Sequence, residues 1–190
     1  RHALVEFSKD WHEDAKRRDF TINAIYSDIN GNLFDPFDGK KDLHIGELNF
    51  IGDPEKRIKE DYLRILRYVR FFINYSKIDH KTDVKKIIKK NINGVINLSK
   101  ERLIDELKKI ILSKGFMKLN KDDFCKEVIL IVFPQLKNLN IFNKLNTYSS
   151  KILHKKDFVF LISLLIIDET DNSNYFLYKF NFSNENKKRI

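Results

Sequence analysis

The spacing of apolar positions along the 190-residue chain changes near residue 52. Before it, 24–28 and 33–37 read as two strand-like runs flanking Ile29-Asn30-Gly31-Asn32, and Asn-Gly is the dipeptide preferred in a tight hairpin turn. Asp35-Pro36-Phe37-Asp38-Gly39 supplies a second turn. Beyond residue 52 the period approaches 3.6. Asp53 is placed to cap a helix that Pro54 opens. Ile58, Tyr62, Ile65, Leu66, Val69, Phe72 and Ile73 then form one apolar stripe, so one continuous helix is expected. A second helix is expected over 82–90. A third opens at Ser99, packs through Leu103, Leu107, Ile110 and Ile111, and ends at Gly115. Further helices are expected over 120–133, stopped by Pro134, and over 138–147, 155–168 and 174–180. Asn181 breaks the last of these, and Ser183 starts another. The pattern is α+β at the front and all-α behind.

Composition narrows the class. Hydrophobic residues make up 42% of the chain and charged residues 33%, enough apolar material for a core and against wholesale disorder. The single cysteine, Cys125, excludes a disulfide framework and a Cys-rich zinc site. It reads as an inert buried thiol in a reducing compartment, the cytoplasm. The longest apolar run, Phe158 to Ile167, has ten residues, far short of the ~20 that cross a bilayer. No signal or transit peptide opens the chain. Arg stands at residue 1, and a short new helix starts just before Ile190, so a piece of a longer protein is expected.

The formal charge is +9, but Lys (27), Ile (24) and Asn (18) are abundant while Ala appears three times, which points to A/T-rich coding as one source of lysine. Position therefore says more than the total. Residues 1–50 are net −3, residues 51–115 net +8 and residues 116–190 net +4. The middle block is a candidate polyanion-facing element, with a solvated Lys-rich face as the alternative. Within it Lys85, Lys86, Lys89 and Lys90 form a basic face that suits RNA phosphates.

Two constellations carry candidate chemistry. Arg17-Arg18-Asp19-Phe20-Thr21-Ile22-Asn23-Ala24 sets two guanidinium groups, suited to fork-like recognition of phosphate oxygens, beside an acid and an amide that suit a sugar hydroxyl or a metal-phosphate group. A surface Arg–Asp pair is the alternative. Glu60-Asp61-x-x-Arg64-x-x-Arg67 is the second. On one continuous helix Asp61 and Arg64 lie about 60° apart at the edge of the buried stripe. They are either an i,i+3 ion pair or an edge-on pair in which a carboxylate accepts and a guanidinium donates. The latter selects cytosine and adenine, which show an amino donor beside a ring-nitrogen acceptor, over guanine and uracil. Elsewhere His12-Glu13-Asp14 lacks a second histidine at ligand spacing. His2, His44, His80 and His154 read as isolated, with no Cys/His arrangement. Phe71 and Phe72 read as core rather than as base-stacking rings.

RRDFTINA at 17–24, Asp35-Pro36-Phe37 with Gly39 and Asp42-Leu43, EDYLRILR at 60–67, and Ser99-Lys100-Glu101-Arg102 through Glu106-Leu107 together resemble class II tRNA nucleotidyltransferases (CCA-adding enzymes) and bacterial poly(A) polymerases. The match in order and spacing runs over 1–115. Residues 116–190 resemble the family's helical body in composition alone. The resemblance implies the rear of a polymerase-β-like nucleotidyltransferase head over 1–52, a helical neck over 53–115 that reads nucleotides and meets RNA, and a helical body over 116–190. It implies template-independent addition of CMP and AMP to tRNA 3′ ends from CTP and ATP with Mg²⁺. Arg17, Arg18, Asp19 and Asn23 are expected to handle the nucleotide's phosphates and sugar. Asp61 and Arg64 are expected to pair with its base beside Arg67, with Glu60, Glu101 and Arg102 as supports. The family's Gly-rich loop and Asp-x-Asp metal pair do not occur in these residues. The chain alone is therefore expected to bind nucleotide weakly and catalyse nothing, and a separate N-terminal half is a candidate partner. The alternatives are a non-catalytic RNA-binding piece of a decayed or split enzyme, and part of a poly(A) polymerase.

Overall fold

A computed structural model of the chain describes residues 10–144, 152–153 and 155–190. The first helix, α1 (Trp11–Arg17), is capped by Asp10, whose carboxylate accepts from His12 N at 2.8 Å, with acids in its first turn and bases in its last, as the helix dipole favours. The chain then runs extended. Thr21 N donates to Asn49 O and Ile51 N to Asp19 O, which makes an isolated antiparallel bridge between Phe20 and Phe50.

The hairpin is present and shorter than the pattern predicts: β1 (Tyr26–Ser27) pairs antiparallel with β2 (Leu33–Phe34), Tyr26 opposite Phe34. Its turn is not a two-residue one. The Asp28 carboxylate accepts from Asn30 N, Asn32 N and Asn32 Nδ2, each at 2.8 Å, so a side chain organises the loop. The second expected turn runs into a helix that the pattern does not announce, α2 (Gly39–Ile45). Asp35 accepts from Gly39 N and Lys40 N at its start. Only glycine fits at 39, because a Cβ there would sit 2.2 Å from Thr21 O.

The expected continuous helix after Asp53 is two helices. α3 (Pro54–Glu60) starts as predicted, with Asp53 accepting from Lys56 N. It stops at Asp61, which is fully extended (φ −154°, ψ 104°), and α4 (Leu63–Tyr75) begins afresh. The apolar stripe survives the break, with Ile58, Ile65, Leu66, Val69 and Ile73 all buried. Next come α5 (Thr82–Asn91), a 3-10 stretch over Ile92–Asn97, and α6 (Lys100–Ile111), capped by Ser99. Gly115 does not end α6, which closes at Ile111. It lets the chain pass against α4, where a Cβ would fall 2.3 Å from Ile73 O.

Behind α6 lie α7 (Phe116–Leu119), α8 (Asp123–Val132), α9 (Phe158–Ile166), α10 (Asn172–Lys179) and α11 (Asn184–Lys187). The helix expected over 138–147 is a 3-10 stretch over Leu139–Lys144, and 145–147 lie outside the described residues. Asn181 ends α10 with φ 51°, and Ser183 caps α11. The apolar run 158–167 is mostly the buried helix α9, and no helix among the described residues is long and apolar enough to cross a membrane. One hydrophobic core runs from Phe20 and Phe50 through α4, α5, α6 and α8 to α9 and Phe176. The front of the chain is thereby fastened to the helices that follow it.

Candidate functional site

Around the joint between α3 and α4 gather most of the residues singled out from sequence. Arg17 and Arg18 lie exposed at the end of α1, and Asp19 turns inward, 5% exposed. The Arg18 guanidinium holds Asp14 Oδ2 at 2.7 Å, and Tyr26 Oη donates to the same oxygen at 2.7 Å. The Tyr26 hydrogen bond first, then Arg18, keeps the Asp14 carboxyl below the usual carboxylate range. Arg17 makes no side-chain hydrogen bond or ion pair among the described residues, leaving one guanidinium of the pair open to solvent. Asn23 is directed inward locally: its Oδ1 accepts from Phe20 N at 3.2 Å and closes the 3-10 turn Thr21–Asn23.

Arg57, to which the sequence assigned no role, is the clamp of this region. Its Nη2 donates to Arg17 O at 2.9 Å and to Arg18 O at 2.6 Å, and its Nη1 to Glu60 Oε2 at 2.5 Å. The side chain is 13% exposed. A second tie is the ion pair of Arg67 Nε with Asp19 Oδ2 at 2.5 Å, two buried atoms in contact without hydrogen-bond alignment. The two arginines thus join α3 and α4 to the extended segment 17–20. The sequence signal for Arg57 is weak, since its i+3 partner Glu60 reads as an ordinary helix pair.

Asp61 and Arg64 do not pair with each other. The break at Asp61 removes the helical spacing on which that pairing rests. Asp61 Oδ2 accepts from Arg102 Nη2 of α6 at 2.7 Å, and its Oδ1 accepts from Leu63 N at the start of α4. Arg64 Nη1 turns back to Arg57 O at 2.5 Å and Glu60 Oε2 at 2.6 Å. Glu60 therefore collects two guanidinium groups, and the Arg64 hydrogen bond above all holds its carboxyl low. Arg102 braces Asp61 directly, while Glu101 is exposed in the first turn of α6, its side chain making no hydrogen bond or ion pair among the described residues.

The basic face on α5 is half neutralised. Lys89 meets Glu127 at 2.7 Å and Lys90 meets Glu55 at 2.8 Å. Lys85 sits over the Phe124 ring, and Lys86 is exposed. A basic surface that no sequence pattern announces lies between α4 and α6: a groove of about 880 Å³ lined by Arg70, Asn74, Tyr75, Lys108, Lys109 and Lys114, among others. Arg70 is held there by the buried Glu106, Nε to Oε1 at 2.5 Å. The pair joins residues 36 apart, so no local pattern shows it.

Carboxylates near the joint do not converge on a divalent ion. Asp19 faces Arg67, Glu60 faces Arg57 and Arg64, Asp61 faces Arg102, and Asp35 caps α2. These residues do not fit a catalytic metal. One histidine read as isolated is not: His80 meets Asp122 and Cys125. His2 and His154 lie outside the described residues. Phe71 and Phe72 are partly buried against the core, as expected.

Residues 1–49 match the family described as the poly A polymerase head domain. The chain is 46% identical over 117 residues to CCA tRNA nucleotidyltransferase 1, mitochondrial, of Homo sapiens, covering 59% of this chain and 26% of that one. It is 34% identical over 196 aligned residues to the CCA-adding enzyme of Staphylococcus haemolyticus, covering 100% of this chain and 45% of that one. Its fold is similar to that of the Thermotoga maritima CCA-adding enzyme complexed with tRNA CCA, with a TM-score of 0.62 at 22% identity over 94% of this chain and 46% of that one. The chain spans less than half the length of these two curated relatives.

Proposed function

This chain belongs to the class II CCA-adding enzyme family, and from that premise we propose that its joint between α3 and α4 binds CTP and ATP for addition to tRNA 3′ ends. The observation that carries the reading is the side-chain network at that joint. Arg57 and Arg67 tie the Arg17-Arg18-Asp19 segment to the two helices, and Arg102 holds Asp61 beside it. In this reading 1–52 is the rear of the nucleotidyltransferase head, 53–115 the neck and 116–190 the body.

Arg17, open to solvent, and Arg18 take the triphosphate, whose charge suits guanidinium forks. Asp19 and Asn23 shape the sugar side. Asp61 and Arg64 read the base. On binding, Asp61 trades part of its bonding to Arg102, and Arg64 its bonding to Glu60, for the Watson–Crick edge of cytosine or adenine. Both bases offer an amino donor to the carboxylate and a ring nitrogen to the guanidinium, whereas guanine and uracil present the opposite order. The RNA strand runs past the basic groove of Arg70, Lys108, Lys109 and Lys114, with Lys85 and Lys86 as further phosphate contacts.

A divalent cation, Mg²⁺ in this proposal, serves the transfer chemistry in the family. These 190 residues contain no Asp-x-Asp pair, and the acids at the joint are already engaged. These 190 residues by themselves therefore bind nucleotide without transferring it, and the paired carboxylates come from outside them. Titration of the purified chain with the four nucleoside triphosphates tests this. CTP and ATP are expected to bind roughly tenfold tighter than GTP and UTP, within the ~1–3 kcal/mol of one bidentate contact, and Asp61→Ala to erase the difference. Equal binding of all four by the parent chain overturns the base-reading role. Incorporation of CMP or AMP into tRNA by these 190 residues alone overturns the need for carboxylates from outside them.

A further inference from the structure

Away from the nucleotide joint, three side chains converge that the function above does not use. His80 lies between α4 and α5, Asp122 is the N-cap of α8, and Cys125 is in the first turn of that helix. One donor atom from each lies within 4.8 Å of the others. His80 Nε2 is 3.0 Å from both Asp122 oxygens and 3.8 Å from Cys125 Sγ. Ligands at ordinary zinc bond lengths around a tetrahedral ion stand roughly 3.3 Å (N to O) and 3.5 Å (N to S) apart. The two His80 edges thus need to change by a few tenths of an ångström, and the Asp122–Cys125 edge, within 4.8 Å, closes by up to about an ångström onto an ion.

The imidazole is built into place. Phe72 stacks on it at 3.5 Å between ring centres and 14° between planes, and Phe124 meets it edge-on at 4.8 Å. Tyr68 Oη lies 2.9 Å from Nδ1. A hydroxyl both donates and accepts, so it serves either tautomer, including the one in which Nδ1 keeps its proton and Nε2 offers a lone pair. A partner on the second ring nitrogen is what orients metal-ligating histidines. Asp122 spends Oδ1 on Cys125 N at 2.8 Å, which leaves Oδ2 for an ion. Burial, then the Asp122 carboxylate, pushes the Cys125 thiol above its ordinary value. An opening of about 240 Å³ lined by Phe72, Ile73, Ser76, Lys118, Lys121 and Asp122 leads to the carboxylate from solvent.

We propose that His80 Nε2, Asp122 Oδ2 and Cys125 Sγ form a three-ligand site for Zn²⁺, with water in the fourth position, that ties the segment between α4 and α5 to α8. The mixed N, O and S donor set suits a borderline-soft ion and not Mg²⁺. On binding, the thiol proton passes to solvent and an S–metal bond forms, with no change in oxidation state. The site acts as a staple on the helices behind the nucleotide joint, and it stands whether or not the nucleotide reading does.

Co²⁺ titrated into the full 190-residue chain, followed by Zn²⁺, tests it. The expected result is saturable uptake of one Co²⁺ with a thiolate-to-cobalt charge-transfer band, release of protons, and displacement by Zn²⁺. Cys125→Ser is expected to lose the band, and both Cys125→Ser and His80→Gln to weaken Zn²⁺ binding at least tenfold with helix content unchanged by circular dichroism. Should Cys125→Ser not fold, His80→Gln decides through loss of the zinc-induced rise in Tm. Absence of the band in the parent chain, or zinc affinity unchanged in His80→Gln, overturns the site and assigns any uptake to other histidines.

Discussion

Asp61 is bonded to Arg102, 41 residues away on α6, and not to Arg64 three residues on. The acid at the break between α3 and α4 is thus positioned by a third helix. An exposed pair of this kind contributes at most about 1 kcal/mol to stability, so its importance lies in orientation. Arg102→Ala is expected to leave the urea midpoint almost unchanged while the preference for CTP over UTP falls about threefold or more, a fraction of one bidentate contact. Calorimetric titration with both nucleotides reads the ratio. An unchanged preference would assign the orientation of Asp61 to Leu63 N alone.

Arg57→Ala has a larger expected effect, because one nearly buried guanidinium serves two backbone carbonyls and Glu60. Its removal leaves Arg17 O and Arg18 O without this donor and is expected to cost about 1–3 kcal/mol in denaturant unfolding. The amides of Asp19 and Phe20 should exchange faster in hydrogen-exchange measurements, because the clamp on their segment is gone. Arg57→Lys is expected to behave like the alanine variant, since an ammonium does not reproduce the planar fork. Full rescue by lysine would contradict the clamp.

Local rules carried part of this structure. Asp53, Ser99 and Ser183 cap the helices that their residue types announce, and each cap is a hydrogen bond between residues three apart. The break at Asp61 escaped because the apolar stripe continues across it, and hydrophobic periodicity reports which face is buried rather than whether the backbone is continuous. What ends α3 there includes a partner on α6. The packing that holds α2 is hidden for a similar reason. Its buried Asp42 is stabilised by Thr21 Oγ1 and Asn49 Nδ2, residues 21 and 7 positions away. His80 reads as isolated because its partners stand 42 and 45 positions downstream. The RRD and EDYLRILR motifs were legible as motifs, and Arg67 of the second pairs with Asp19 of the first, while the other arginine that joins them, Arg57, lies outside both.

Glu55 supplies a pH test. Lys59 and Lys90 both meet its Oε1 at 2.8 Å, and these ion pairs hold its carboxyl at about 2, down from the ordinary 4.5. The folded value is depressed. Its contribution is therefore fully present above the unfolded value and is lost as pH falls from about 4.5 through about 2. A carboxyl-carbon NMR titration should place the Glu55 midpoint near 2, and Lys90→Ala should raise it. A midpoint near 4.5 in the parent chain would show the lysines solvated rather than paired.

The same pairing ranks the lysines of α5 for RNA. Lys89 and Lys90 begin in ion pairs with Glu127 and Glu55, whereas Lys85 and Lys86 make no ion pair among the described residues. Removing one lysine that neutralises an RNA phosphate lowers the slope of log affinity against log salt by about 0.7–0.9. Lys85→Ala with Lys86→Ala is expected to lower the slope for tRNA by more than Lys89→Ala with Lys90→Ala. Equal slopes for the two double variants and the parent chain would assign α5 a purely solvated face.

The Arg70–Glu106 pair gives the sharpest energetic test. Glu106 is 1% exposed, and its charge is balanced by Arg70 Nε at 2.5 Å and, more distantly, by Lys109 at 3.5 Å. Arg70→Met leaves a buried carboxylate with Lys109 as its one remaining cation among the described residues, so stability is expected to fall by about 3–5 kcal/mol. Arg70→Met with Glu106→Leu removes both charges at once. The desolvation cost then disappears with the attraction that offset it, and the double variant is expected to fall within about 1 kcal/mol of the parent. Its tRNA affinity should nevertheless drop, because Arg70 also lines the basic groove between α4 and α6. Stability restored with affinity intact would confine Arg70 to the fold; stability restored with affinity reduced would place the RNA backbone in that groove.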